Sequence, residues 1–243
     1  MGAMSQQTRP ARTAPDLPRV SASLLAADPA ALGAEAARAE AAGVDRFHVD
    51  VMDGHYVPNL ALTPHLVAAL RHYTSLPIDL HLEVHRPDQV LESMPCQGAA
   101  TIIVQLDTLP QPALTFGHIR SVGAAIGLAV NPSDDLYSVR PWLADLDLLV
   151  IMAVEPGFAG QSLHPRAFDR LARATHMRAE AGLSFAIALD GGVTAANAAR
   201  LVAAGADTLI TGTALFRGSD MRTVVQALKV PLARASSGHA LGA

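Results

Sequence analysis

Two apolar runs of the sequence carry polar side chains at alternate positions. In RFHVDVMDGHYVPN, His48, Asp50 and Met52 alternate with Phe47, Val49 and Val51; in IDLHLEV, Asp79, His81 and Glu83 alternate with Ile78, Leu80 and Leu82. Successive side chains on a β-strand point to opposite faces, so each run, read as a strand, has one apolar and one polar face. A third run, IALDGGV, ends in Asp190 directly before Gly191 and Gly192. With the apolar faces packed against helices, the polar faces turn inward, where an unpaired charge is costly unless a partner or a metal neutralises it. His48, Asp50, His81 and Asp190 then offer two imidazoles and two carboxylates. That donor set suits one divalent cation per chain, such as Zn²⁺, Mn²⁺ or Fe²⁺. A single His-x-Asp on a strand is ordinarily a satisfied pair; the same chemistry at three strand ends favours ligation. His65, His72, His85, His118, His164, His176 and His239 fall in helices or polar loops and read as surface residues, while His55, next to Gly54, is open to either reading.

Glycines form a second constellation. VEPGFAGQS follows the sixth apolar run, DGG ends the seventh and TGTALF the eighth. Glycine lets backbone approach a ligand closely, and backbone N–H groups after late strands commonly cradle phosphate. Isolated glycine pairs mostly make tight turns. Gly191, Gly192, Gly212 and Thr213, at adjacent strand ends, point to a phosphate-binding mouth.

These residues need elements to hold them. Eight short β-branched or apolar runs are expected as strands: Val20–Leu24, Arg46–Met52, Ile78–Val84, Thr101–Leu106, Ala125–Val130, Leu148–Val154, Phe185–Asp190 and Thr208–Gly212. Helices are expected near Pro29–Ala42, Pro64–Tyr73, Asp88–Cys96, Ala113–Val122, Asp134–Leu143, Pro165–Ala181, Ala195–Ala204 and Met221–Ala233. Gly43, Gly98, Gly123, Gly182 and Gly205 recur just past helices, where a left-handed residue turns the chain into the next strand. This alternation favours a closed (β/α)₈ TIM barrel as a single domain over 19–234. An open doubly wound sheet is the alternative, weakened because no G-x-G-x-x-G follows the first strand. Residues 1–18 are expected to be a disordered tail whose start reads as an expression remnant, and residues 235–243 a frayed tail.

The 243 residues are 50% hydrophobic and 16% charged, enough to bury a full core. A net charge of −4 without a Lys/Arg block argues against nucleic-acid or anionic-membrane partners. No apolar run reaches a membrane-spanning length, and the single Cys96 makes no internal disulfide, so a cytoplasmic protein is expected.

The motifs SASLLAADPAALG, HVDVMDGHYVPNLALTP, DLHLEVHRP, VNPSDDL, MAVEPGFAGQS, LDGGVTAANAARLVAAGAD and TGTALF, from Val20 to about Phe216, resemble the ribulose-phosphate 3-epimerase family. The resemblance implies a (β/α)₈ barrel with a metal held by His48, Asp50, His81 and Asp190. It implies interconversion of D-ribulose 5-phosphate and D-xylulose 5-phosphate through an enediolate, with Asp50 and Asp190 as catalytic groups on opposite faces of C3. It also implies that Ser23 and His81 lie near the sugar, that Gly157, Gly160, Gly191, Gly192, Gly212 and Thr213 surround the phosphate, that Phe158 and Ala159 bind the substrate, and that Met52 and Met152 line the metal pocket. The expected partner is a small ketose phosphate, and a homo-oligomer is expected. Relative to the family pattern, Glu83 stands for Met, Gln105 for His, Ala159 for Gly, Glu155 for Asn or Asp, Ala22 for Pro and Thr213 for Ser. Glu83 either joins the pocket, at the metal or at a substrate hydroxyl, or swings to solvent. A hexulose phosphate such as D-allulose 6-phosphate is the alternative substrate, and a non-catalytic phosphosugar-binding barrel the alternative function.

Overall fold

The computed structural model describes residues 17–94, 96–218 and 220–229. The expected tails, apart from residues 17 and 18, and His239 lie outside these. Eight parallel strands close into a barrel in sequence order: β1 (Arg19–Ser23), β2 (Arg46–Met52), β3 (Ile78–Glu83), β4 (Thr101–Gln105), β5 (Ala125–Val130), β6 (Leu148–Met152), β7 (Ala186–Asp190) and β8 (Thr208–Thr211), with β8 pairing back to β1. Closure excludes the open sheet. The observed strands stop one or two residues short of several expected ends because the last residues of each run already belong to the mouth loops.

The helices are α1 (Leu32–Ala42), α2 (His65–Leu70), α3 (Pro87–Ser93), α4 (Pro112–Ser121), α5 (Ala167–Glu180), α6 (Ala195–Ala203), α7 (Thr213–Phe216) and α8 (Met221–Leu228). Two departures from expectation have identifiable reasons, and one further helix is additional. Helix α1 begins at Leu32 rather than Pro29, because Asp28 Oδ1 accepts a hydrogen bond from Ala30 N and holds the preceding residues in a turn. The expected helix at Asp134–Leu143 is instead a 3-10 run over Leu136–Asp145, and Pro141 within it has no N–H to donate. The four-residue α7 was not expected; it starts at once after Gly212. All five glycines expected at helix ends have positive φ, between 64° and 113°.

Strand parity divides the core into two shells. Phe47, Val49, Val51, Leu80, Leu82, Ile102 and Val104 face outward into the layer shared with the helices. A second cluster fills the inside of the barrel: Ile103, Ala129, Leu148, Val150, Met152, Ala188 and Ile210, all from β4–β8. Apart from Met52, the buried inward residues of β1–β3 are polar: Ser21, Ser23, His48, Asp50, Asp79, His81 and Glu83. The apolar cluster fills the β4–β8 side, and the buried polar side chains gather toward β1–β3, where Gln105 from β4 and Asp190 from β7 join them.

Candidate active site and metal centre

Pairing aligns the polar half. Ser23 is registered with His48, Asp50 with His81, Met52 with Glu83, and Met152 with Asp190. His48 and His81 are fully buried, Asp50 is 3% exposed, and Asp190 keeps 14% of its side chain open at the mouth. His48 Nε2 lies 3.1 Å from Asp50 Oδ1, 3.1 Å from His81 Nδ1 and 3.5 Å from Asp190 Oδ2. His81 Nδ1 lies 3.4 Å from Asp50 Oδ1 and 3.9 Å from Asp190 Oδ2.

One nitrogen carries at most one proton, so these groups cannot all be satisfied by pairing off. They converge on a point. Metal–ligand bonds of about 2.0–2.2 Å set neighbouring ligand atoms about 3.0–3.6 Å apart, close to what is seen, and one atom from each of the four residues falls within 4.8 Å of all the others. The donor set therefore fits a divalent cation. Asp79, the third polar residue on the face of β3, is not part of it. Its carboxylate accepts from Arg46 Nε at 2.5 Å and from Arg46 Nη2, near the opposite end of the barrel.

The electrostatics of the cluster agree with a cation-binding role. Burial alone would lower the His48 pKa, but Asp50 and then Asp190 outweigh it and lift the imidazolium to about 9. Burial raises the Asp50 carboxyl, yet His48 and His81 pull it far below the usual carboxylate range. Asp190 is pushed up by burial and by Asp50. The buried carboxylates give the pocket a negative field, and that field favours a divalent cation.

Above the cluster lies a cavity of about 460 Å³. Ser23, Asp50, Met52, Met152 and Asp190 line its inner end, and Gly157, Phe158, Ala159, Gly160, Gly191, Gly192, Gly212 and Thr213 line its rim. Ser23 Oγ donates to Asp50 Oδ2 at 2.8 Å. Gly191 and Gly192 have φ of 101° and 67°, and a Cβ on Gly192 would stand 2.5 Å from Leu163 N. Glycine is needed there for the turn and for close packing as well as for an open approach. No Lys or Arg occurs among the described lining residues, so an anion at this rim would meet backbone N–H groups rather than side-chain cations. Phe158 is 53% exposed, standing at the cavity's edge.

Glu83 turns inward, not to solvent. It is 2% exposed, lines the cavity, and has its Oε1 3.9 Å from His81 Nδ1 and its Oε2 without a hydrogen-bond partner. Burial, then Asp50 and Asp190, raise its pKa well above the carboxylate range. Gln105 is fully buried with its Nε2 3.2 Å from His81 Nε2. Among the remaining histidines, His55 is exposed and hydrogen-bonds Asp53, and His118 pairs with Asp88 at the surface.

Sequence reasoning missed the contacts that bind the mouth loops together. Asn59 Nδ2 donates to Gly157 O at 2.7 Å, tying the loop after β2 to the loop after β6. Tyr56 Oη donates to Asp107, and Asn131 Nδ2 donates to both Tyr56 Oη and Asp107. These pairs are 24 to 98 residues apart in the chain, and no local pattern marks them.

Residues 19–216 match the model of the Ribulose-phosphate 3 epimerase family. The chain is 36% identical to the Ribulose-phosphate 3-epimerase of Escherichia coli K12 over 218 residues, covering 89% of this chain and 97% of that one. It is 39% identical to the chloroplastic Ribulose-5-phosphate-3-epimerase of Arabidopsis thaliana, over 86% of this chain and 75% of that one. Among solved structures, KGPDC from Streptococcus mutans superposes with a TM-score of 0.64 over 87% of this chain and 95% of its own, and a Mycobacterium tuberculosis tryptophan synthase with 0.62 over 88% and 91%. At 14% and 16% identity these two speak for the barrel alone. The sequence match spans all eight strands, including each one that carries a residue of the His/Asp cluster, and on that ground the chain belongs to the ribulose-phosphate 3-epimerase family.

Proposed function

We propose that this protein is an isomerase that inverts C3 of a ketulose phosphate, interconverting D-ribulose 5-phosphate and D-xylulose 5-phosphate. The observation that carries the reading is the convergence of His48, Asp50, His81 and Asp190 at the inner end of a glycine-rimmed cavity. A silent sugar-binding barrel would have no use for four ionisable groups buried at that cost.

Inversion needs a proton acceptor on one face of C3 and a donor on the other. Asp50, from β2, and Asp190, from β7 across the barrel, both reach the cavity. One carboxylate takes the C3 proton and the other carboxyl returns a proton to the opposite face of the planar enediolate; in the reverse direction the roles exchange. His48, Asp50, His81 and Asp190 would hold a divalent cation, which would supply Lewis-acid stabilisation of negative charge developing on the substrate. Ser23, donating to Asp50, holds that carboxylate in place. Gly157, Gly160, Gly191, Gly192, Gly212 and Thr213 receive the phosphate, which fixes the sugar's reacting carbon over the two carboxylates. The metal is Zn²⁺, Fe²⁺ or Mn²⁺, all compatible with two imidazoles and two carboxylates.

The buried Glu83 favours a second reading of the substrate. An extra carboxyl in the cavity, with one oxygen unpartnered, offers a hydrogen bond to a further hydroxyl, which a hexulose phosphate such as D-allulose 6-phosphate carries. Turnover of each sugar phosphate in D₂O tests both readings. The epimer should carry deuterium at C3, and the substrate with the higher kcat/KM identifies the physiological one. Absence of epimerisation with both sugars, in protein carrying a full equivalent of metal, would overturn the activity.

A further inference from the structure

The fourth strand carries an inference that rests on the proposed cation site. Gln105 is fully buried at the end of β4, its Nε2 lies 3.2 Å from His81 Nε2, and its Oε1 has no hydrogen-bond partner. His81 is thus held at both edges. Gln105 meets Nε2, while His48 Nε2 at 3.1 Å and Asp50 Oδ1 at 3.4 Å meet Nδ1.

A neutral imidazole has one N–H and one lone pair. With the Gln105 amide N–H donating to His81 Nε2, the ring's own proton must sit on Nδ1, pointing at the cluster. In that state Nδ1 has no lone pair for a cation. A half-turn of the terminal amide exchanges its oxygen and nitrogen at nearly unchanged positions. Oε1 then accepts from His81 Nε2–H, the unpartnered oxygen gains its donor, and the Nδ1 lone pair is free toward His48, Asp50 and Asp190.

We infer that Gln105 is a positioning residue that sets the tautomer of His81, its amide accommodating a proton on Nδ1 in the cation-free site and a proton on Nε2 when Nδ1 is a ligand. A side chain with donor and acceptor at the same reach serves both states without moving the ring. A thioether donates nothing and accepts only weakly. A carboxylate offers only the acceptor and so enforces the ligating tautomer. Removing the outer hydrogen-bond partner of a ligating histidine typically weakens metal binding about 10–100-fold.

The test uses the full-length protein loaded with one equivalent of Zn²⁺ and challenged with graded chelator. Gln105→Met is expected to release Zn²⁺ at about 10–100-fold lower chelator than the unaltered protein, and Gln105→Glu to hold it at least as firmly. In ¹⁵N spectra of the Zn²⁺-loaded unaltered protein, the His81 proton should reside on Nε2. Gln105→Asn, which withdraws the amide by one methylene, repeats the chelator test if Gln105→Met fails to fold. Equal Zn²⁺ retention in these shortened or apolar variants, or a His81 proton on Nδ1 in the loaded protein, overturns the inference and leaves the cation site standing. An unaltered protein that takes up no Zn²⁺, Fe²⁺ or Mn²⁺ overturns the cation site and this inference with it.

Discussion

The residues of the cavity answer to two demands, chemistry and burial, and substitutions should separate them. His81→Ala removes a ligand from a site whose other three donors remain, and the variant is expected to lose bound metal by elemental analysis; a full equivalent with normal turnover would remove His81 from the site. Asp190→Asn tests the proton transfer. With metal content measured alongside, kcat should fall by about 10²–10⁴-fold, the usual contribution of a positioned acid–base group. C3 inversion surviving in a metal-loaded Asp190→Asn protein would exclude Asp190 as one of the two proton-transfer groups. Glu83 is the residue at which function and stability pull apart. It buries a carboxyl with one oxygen unpartnered, a cost of about 1–3 kcal/mol that an apolar side chain of similar length does not incur. Glu83→Met should therefore raise the melting temperature while shifting the kcat/KM ratio between pentulose and hexulose phosphates. A lower melting temperature would show that Glu83 holds the structure, and an unchanged ratio would separate it from substrate choice.

At the scale of elements, the site depends on where strands stop and what the loops do next. At Gly192 the chain turns with φ of 67°, and the backbone of Leu163 from the preceding loop leaves no room for a Cβ. Gly192→Ala is expected to cost about 1–3 kcal/mol in stability and to raise KM for the sugar phosphate through the displaced loop. An unchanged KM, measured on folded protein, would remove this turn from phosphate binding. The same scale shows what a linear reading can and cannot reach. The alternation in RFHVDVM and IDLHLE foretells which face each side chain takes, because strand parity is local. The boundary of α1 and the 3-10 run at Leu136–Asp145 were less legible, since an Asx turn at Asp28 and the proline at Pro141 compete with helix over only a few residues.

For the molecule as a whole, the two ends of the barrel divide the work. The cavity opens at the C-terminal ends of the strands, and the Arg46–Asp79–Thr101 contacts sit near the N-terminal ends. Asp79 is 2% exposed, so stripping its partner leaves a charge buried without compensation. Arg46→Met is expected to lose about 3–5 kcal/mol of stability, read as a melting temperature lower by about 2–4 °C for each kcal/mol, with kcat at low temperature nearly unchanged. A large loss of kcat in protein shown to be folded and metal-loaded would mean that the two ends are coupled. Among the described residues no helix is long and apolar enough to cross a membrane, and the helices instead cover the outward apolar faces of the strands.

Strand number, the inward polar faces of β2 and β3 and the glycines at helix ends follow from the sequence alone, because parity, periodicity and left-handed turns are properties of neighbours in the chain. The same parity, with the Asp190 carboxyl before two glycines, names the four candidate ligands, and the family motifs add the reaction. Tertiary structure decided the rest: that His48 Nε2 and His81 Nδ1 face one point, that Asp79 turns away to Arg46, that Glu83 stays inside, and that Gln105 closes on the far edge of His81. Each of these depends on which strands become neighbours when the barrel closes, and on whether the space beside a side chain is filled by an apolar residue or by another polar one. Distances between residues 24 to 33 positions apart are set by that closure and are encoded in no local pattern.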